Sequence, residues 1–197
     1  MKILFTASEC VPFVKTGGLA DVVGALAPVL AAQGHDVRVI LPLYSAIPQK
    51  WTEQLTHVCD FEVQLGWRRQ YCGIEKLEMN GVTWDFMDNK YYFGRPYIYG
   101  LGGDEYERFG FFCRGALNAL PLLDFQPDVI HAHDWQSGMV PALLKIQYAH
   151  LPFFAGIKTV FTIHNLQYQG IFGIREVQDV LGLGASLWTN DKLECFG

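Results

Sequence analysis

Three short stretches of the 197-residue chain carry side chains whose types and spacing could do chemistry. The first is "KTGGLAD", in which Lys15 precedes the adjacent Gly17 and Gly18. Glycines there would let the backbone approach a ligand closely, and a helix starting near Leu19 would aim free amides and its positive dipole end at a phosphate, with Lys15 adding a mobile charge. The same residues also make a plain turn with a solvated lysine. Neither GxGxxG nor GxxxxGK[ST] is present, so type and spacing leave both readings open. The second stretch is "HAHDW". His131 and His133, two apart on a strand, point the same way, with Asp134 next. Such a pair is used by metal-dependent hydrolases of the barrel type, but these need ligands on further strands and about 250 residues. The competing reading makes one histidine a satisfied core residue and Asp134 the cap of a helix beginning at Trp135. The third stretch is "HNLQYQG", where His164 and Asn165 follow an apolar run and Tyr168 and Gln169 lie in a loop ending at Gly170. Hydrogen-bonding groups beside aromatic rings suit a sugar, whose hydroxyls need partners and whose C–H faces pack on rings. A loop histidine without a known partner reads equally well as structural.

The elements that must position these residues show in the apolar pattern. "KILFTAS", "DVRVILP", "PDVIHAHD" and "IKTVFTIH" read as strands, the first two as the continuous apolar, partly β-branched runs of strands buried on both faces of a parallel sheet. Between the first two, "LADVVGALAPVLAAQG" has apolar residues at helical spacing from Leu19 to Leu30, with Pro28 as a candidate kink and Gly34 as a natural stop. Together they predict a βαβ unit with a right-handed crossover. Further helices are expected at "EYERFGFFCRGALNALPLL", "WQSGMVPALLKIQYA" and "IREVQDVLG". From about Trp51 to Asp88 the pattern alternates and is broken by turns such as "MNGV", which predicts antiparallel hairpins. Residues 89–104, "NKYYFGRPYIYGLGGD", lack a period and read as a long loop of the functional or mobile kind. No internal repeat, low-complexity tract or linker is visible. The chain therefore reads as one α/β domain with an antiparallel insertion. All three polar clusters then fall at the carboxyl ends of strands, where open parallel sheets bind ligands. That coincidence says more than any cluster alone.

Composition removes other classes. A formal charge of −5, a pI near 5.6 and no basic cluster beyond "GWRRQ", read as a solvated hairpin, argue against a nucleic-acid binder. Five scattered cysteines with no CxxC suggest neither a disulfide framework nor a zinc site, and fit a reducing cytoplasm. "MKILFTASEC", bounded by Lys2 and Glu9, reads as a strand and not as a lipoprotein signal, and no run approaches the roughly 20 apolar residues of a membrane helix.

The segments "KTGGLADVVGALAPVLAAQGHDVRVILP", "DVIHAHDWQSGMVPALL" and "TVFTIHNLQYQG", in this order, closely resemble the N-terminal domain of the bacterial glycogen synthase and plant starch synthase family. The resemblance covers essentially the whole chain. It implies a two-domain GT-B fold with the active site between two Rossmann-like halves, each a parallel sheet with helices on both faces. Residues 1–197 would be the N-terminal, acceptor-side half, incomplete at its C-terminal end and without the donor-binding domain. The implied activity is transfer of glucose from ADP-glucose to the nonreducing end of an α-1,4-glucan, with retention and with neither metal nor other cofactor. The implied partners are ADP-glucose and the glucan, with no nucleic acid and no membrane.

Carried over by position, Lys15, Gly17 and Gly18 would face the donor's phosphates and sugar, with Asp21 in the same signature; the alternative role of Asp21 is to favour the first helical turn. His164 would contact the transferred glucose near the reaction centre, and Asp134, counted with it as catalytic, would shape the sugar site together with Asn165. Tyr168 and Gln169 would lie beside them. The matching tyrosine of the 95–100 loop is Tyr99, with Tyr97 as the alternative. The family continues beyond "NDKLECFG" into a half that carries most of the nucleotide-binding residues, so this chain alone is expected to be inactive. A stand-alone glucan-binding or regulatory module is the competing reading.

Overall fold

Parallel pairing governs the computed structural model, which describes residues 1–100, 103–189 and 191–194. β1 (Lys2–Thr6), α1 (Gly18–Ala32) and β2 (Asp36–Pro42) form the expected first unit. They are followed by α2 (Gln49–Thr52), β3 (Thr56–Leu65), β4 (Arg68–Met79), β5 (Val82–Asp88), α3 (Lys90–Phe93) and α4 (Glu105–Leu122). β6 (Val129–His133), α5 (Trp135–Leu143), β7 (Lys158–Thr162) and α6 (Ile174–Leu181) complete the order. The strands make one seven-stranded sheet in the order β3-β4-β5-β2-β1-β6-β7. β5, β2, β1, β6 and β7 run parallel, so their carboxyl ends share one edge of the sheet.

α1 starts on Gly17 as N-cap, runs through Pro28 without a break, and stops where Gly34 takes φ 87°. Its packing against the preceding loop needs Gly24, since a Cβ there would lie 2.6 Å from the Val11 carbonyl oxygen. Residues 10–14 fold back on themselves through Cys10 N–H to Val14 O at 3.0 Å, which sends the chain from β1 across to the start of α1.

The alternating segment is antiparallel, as its pattern predicts, but it is no separate insertion. β5 pairs in parallel with β2, from Val37 opposite Val82 to Pro42 opposite Met87, and carries β4 and β3 outward as a continuation of the same sheet. The burial explains the change of pattern: β3, at the edge, keeps one face wet, whereas Val82, Trp84, Asp85, Phe86 and Met87 on β5 are buried. "GWRRQ" does form the tight β3–β4 turn, with Trp67 79% exposed, yet only Arg69 is solvated. Arg68 reaches Glu107 of α4 at 3.1 Å and Asp179 of α6 at 2.8 Å, tying the hairpin to the helices.

The opposite edge also departs from expectation. β7 is exposed along most of its length, with Val160 and Phe161 each 46% exposed, and among the described strands it bonds only to β6. An apolar run reports what a strand is made to bury, and among the described elements this one is covered only in part, where Phe161 meets Gly138 of α5. α5 is shorter than its period suggests, passing at Leu144 into a single π-helical turn that ends at Tyr148.

The long loop is well organised over its described part, Leu101 and Gly102 lying outside the described residues. Asn89 caps α3 by accepting from Tyr92 N–H at 3.0 Å. Arg95 grips Asp104 through two bonds of 2.9 and 2.5 Å. The fully buried Arg108 donates to the carbonyls of Tyr92 and Ile98 and pairs with Glu105. A guanidinium can be buried only with its donors answered, and here the loop carbonyls answer them.

One buried charge is poorly answered. Asp85, fully buried on β5, has neither carboxylate oxygen hydrogen-bonded among the described residues, and its nearest cation is Arg38 Nη1 at 3.6 Å. Burial, partly offset by the charges of Arg38 and Lys76, pushes its carboxyl up to about 6 from an ordinary 3.8. Because the folded state holds this proton more tightly than the unfolded one, the group withdraws stability as pH rises from about 4 to about 6, on the order of 3 kcal/mol in all. His133 acts with the opposite sign: burial and the neighbouring imidazoles push it down to about 3 from 6.5, so it withdraws stability as pH falls below 6.5. The difference between wild type and Asp85→Asn isolates the first effect. Denaturant titrations are expected to show the variant gaining on wild type between pH 4 and pH 7 and holding a constant difference above that; a pH-independent difference would show that Asp85 does not titrate in this range.

Candidate active site

At the shared carboxyl edge lies a cleft of roughly 830 Å³, within the range of small-molecule sites. Its walls combine the three sequence clusters: Gly17 and Gly18 from the β1–α1 loop, Asp134 from the end of β6, and His164, Asn165 and Tyr168 from the segment after β7. Tyr99 closes it from the long loop, its hydroxyl 2.6 Å from Ser8 Oγ. Tyr97 does not line this cleft and is 67% exposed, which separates the two tyrosines.

Glu9 is the main residue that sequence reasoning missed, having entered only as the charged end of the first apolar run. It is buried, 3% exposed, and its Oε2 accepts from both the main-chain N–H and the Oγ1 hydroxyl of Thr16, the latter at 2.8 Å. The loop that offers Gly17 and Gly18 is thus pinned from below by a carboxylate. Applying the strand-end rule to "FTASEC" would have found it. Thr16, Glu105, Trp135 and Gln136 also line the cleft without having been singled out.

Lys15 and Asp21 do not line the cleft. They pair with each other, Nζ lying 2.6 and 2.7 Å from the two carboxylate oxygens, each side chain about half exposed. Asp21 also sits in the first turn of α1, so both roles considered for it are compatible with its position. Gln169 lies apart from the cleft as well. It lines a second, mostly apolar cavity of about 200 Å³ beside Trp135, and its Nε2 donates to Leu166 O at 3.0 Å.

Asp134 occupies the N-cap position of α5 but does not cap it with its side chain. Its Oδ1 instead accepts from the main-chain N–H of His164 at 2.6 Å, while its own N–H donates to Thr162 O at 2.9 Å. The backbone there is at φ 55°, ψ 177°, a region that residues with a Cβ seldom adopt. At the start of α5 the Ser137 N–H bonds to Asp134 O at 3.1 Å, and the Ser137 hydroxyl reaches back to the end of β6, accepting from His133 N–H at 2.7 Å.

The histidines form a stack. The rings of His131 and His133 are 4.1 Å apart, those of His133 and His164 are 5.2 Å apart, and Phe5 packs against both His131 at 5.1 Å and His133 at 5.4 Å. His131 Nε2 meets Thr162 Oγ1 at 2.7 Å, and His133 Nδ1 meets His164 Nε2 at 2.9 Å. Burial, with His164 nearby, also lowers His131. His133 is the core histidine of the pair, and no three or more His, Cys, Asp or Glu side chains gather to hold a metal ion among the described residues.

A glycine-rich loop opening a helix, facing polar and aromatic groups across a cleft at the carboxyl edge of the parallel strands, lies where open parallel sheets bind ligands. Residues 2–197 match the family model described as starch synthase catalytic domain, and the chain belongs to that family. Among curated relatives it is 56% identical to a glycogen synthase of Desulforamulus reducens and 54% identical to one of Anoxybacillus flavithermus, in both cases over all of this chain. The chain spans 41% and 40% of those two proteins. Its fold superposes, with TM-score 0.87 and 30% identity, on the catalytic domain of starch synthase IV from Arabidopsis thaliana solved with ADP and acarbose, covering 96% of this chain and 39% of that one. The fold is accordingly the N-terminal half of a GT-B arrangement. Among the described residues no helix is long and apolar enough to cross a membrane.

The segment after β7 is held in place by Gly170. It sits at φ 65°, and a Cβ there would lie 2.7 Å from Trp135. Gly170→Ala is expected to cost about 1–3 kcal/mol from backbone strain and steric overlap, seen as a lower urea midpoint. An unchanged midpoint would show that this segment is not seated on Trp135.

Proposed function

We propose that the full-length protein carrying this segment transfers glucose from ADP-glucose to the nonreducing end of an α-1,4-glucan with retention of configuration. Residues 1–197 would form the acceptor-side domain, incomplete at its C-terminal end, with donor binding assigned to a further domain. The observation that carries the reading is the meeting, in one cleft, of Gly17 and Gly18 at the start of α1 with His164, Asp134, Asn165 and two tyrosines. The ligands named for the Arabidopsis structure, ADP and acarbose, are of the two kinds this cleft is built to face. The free thiols of Cys10, Cys59, Cys72 and Cys113 fit a cytoplasmic setting, Cys195 lying outside the described residues.

The chemistry follows from where charge develops. The bond from glucose C1 to the phosphate oxygen breaks, a bond to the acceptor hydroxyl oxygen forms on the same face, and the acceptor's proton leaves with the phosphate. Negative charge grows on the departing ADP, where the Gly17 and Gly18 amides, the α1 dipole and Lys15 would stabilise it. Tyr99 and Tyr168 offer faces for sugar C–H groups, and Asn165 and His164 offer hydrogen bonds to hydroxyls. Asp134, fixed by the His164 main chain, would hold the sugar site's shape and put a carboxylate near the positive charge that develops at C1.

In the full-length protein, Lys15→Ala is expected to lower kcat for transfer from ADP-glucose by about 10²- to 10³-fold with little change in melting temperature. Wild-type turnover in that variant would remove Lys15 from the reaction. Calorimetry on the 197-residue chain alone is expected to show weak or no binding of maltooligosaccharides and no tight binding of ADP-glucose; tight nucleotide-sugar binding would contradict the assignment of donor binding to another domain.

A further inference from the structure

The middle ring of the histidine stack is His133, fully buried among Phe5 and two other imidazoles, with Nδ1 on His164 Nε2 at 2.9 Å and Nε2 buried without a hydrogen-bond partner among the described residues. Two nitrogens at that distance share one hydrogen, and which ring supplies it decides what His164 shows to the cleft.

If His164 Nε2 carried the hydrogen, His133 would have to carry its own on Nε2. That would bury an N–H with nothing to accept it, and orphaned N–H donors are rarer in native structures than orphaned acceptors. If His133 Nδ1 carries the hydrogen, its Nε2 is a bare lone pair and His164 Nε2 accepts. The hydrogen of His164 then lies on Nδ1.

We propose that His133 is a positioning residue that sets the tautomer of His164, so that His164 presents its Nδ1–H to the cleft as a hydrogen-bond donor for a sugar hydroxyl. The inference deepens the function proposed above and rests on it for the identity of the sugar. Its geometry needs no ligand. Phe5 and His131 pack on the His133 ring, the Ser137 hydroxyl fixes its backbone, and among the described residues its Nε2 has no partner. Sequence reasoning assigned this histidine to a metal or to plain core packing; the stack makes it a core residue with a directional task.

A neutron structure of the full-length protein without ligand reads the assignment directly. Deuterium is expected on Nδ1 of both His133 and His164; deuterium on Nε2 of His133 would overturn the proposal. Kinetics on two variants test the consequence. His133→Phe keeps the ring's bulk but cannot donate, and is expected to lower kcat about tenfold, the size of one misdirected hydrogen bond, with KM changed less. His133→Asn places an amide N–H near the position of Nδ1 and is expected to recover most of that loss. Wild-type kcat in His133→Phe, or a failure of His133→Asn to recover activity while its melting temperature matches wild type, would also overturn it. If both variants fail to fold, the neutron map still decides. Absence of glucose transfer by the wild-type protein would sink the functional reading, while the deuterium positions judge the tautomer separately.

Discussion

The bond from the His164 main-chain N–H to the Asp134 carboxylate is the contact on which the cleft depends. It joins the segment after β7 to the end of β6 at a distance of 2.6 Å, and it is made by a residue in an unfavourable backbone region. Such a conformation costs about 1–3 kcal/mol, and a hydrogen bond to a charged acceptor returns a similar amount. The two therefore balance, and what the molecule gains is geometry. Asp134 turned toward β7 leaves α5 without a side-chain cap and sets His164 against His133.

That arrangement is possible only because β1, β6 and β7 are parallel neighbours. Parallel pairing puts Thr6, Ala132 and Phe161 at one level, with His133 opposite Thr162 one residue further on, so the three loops that follow start beside one another. Residues more than a hundred positions apart in the sequence, Gly17 and Gly18 on one side and Asp134 and His164 on the other, thereby come to line one cleft at that edge. The antiparallel strands extend the other side of the sheet and do not line the cleft; their contribution is to back α4, whose Arg108 shapes the loop that delivers Tyr99.

What could be read from the sequence was whatever repeats with the period of an element. The strand runs, the α1 stop at Gly34, the alternating hairpins and the strand-end position of all three clusters follow from local pattern, and they are in the structure. Pairwise choices that depend on the third dimension were not legible. Nothing local says that β5 joins β2 in parallel, that Arg68 bonds two helices, or that an apolar β7 stays exposed. The site shows the same division. Gly17, Gly18, Asp134, His164, Asn165 and Tyr168 were visible as clusters, whereas Glu9 acts through a loop seven residues away and Gln169 faces away because Gly170 turns the chain against Trp135. Tyr99 could be told from Tyr97 only through the Ser8 contact and the folded loop.

The pairing of Lys15 with Asp21 bears on how the anion loop works. Read alone, two bonds of 2.6 and 2.7 Å suggest a lysine already committed. Both side chains are about half exposed, however, and such surface pairs contribute only about 0–1 kcal/mol because water screens them and two side chains must be ordered. A phosphate held by the amides at the start of α1 carries more charge in a less exposed place, so exchanging Asp21 for phosphate is inexpensive for Lys15. Under the proposed function, Asp21 would serve as a parking position that keeps the ammonium near the loop and limits the entropy lost when the lysine moves onto the ligand. Glu9 supplies the complementary constraint, since a loop pinned at Thr16 lets the lysine move while the amides stay fixed. A mobile charge on a fixed cradle suits a site that must bind an anion, stabilise it more strongly as it departs, and let it go.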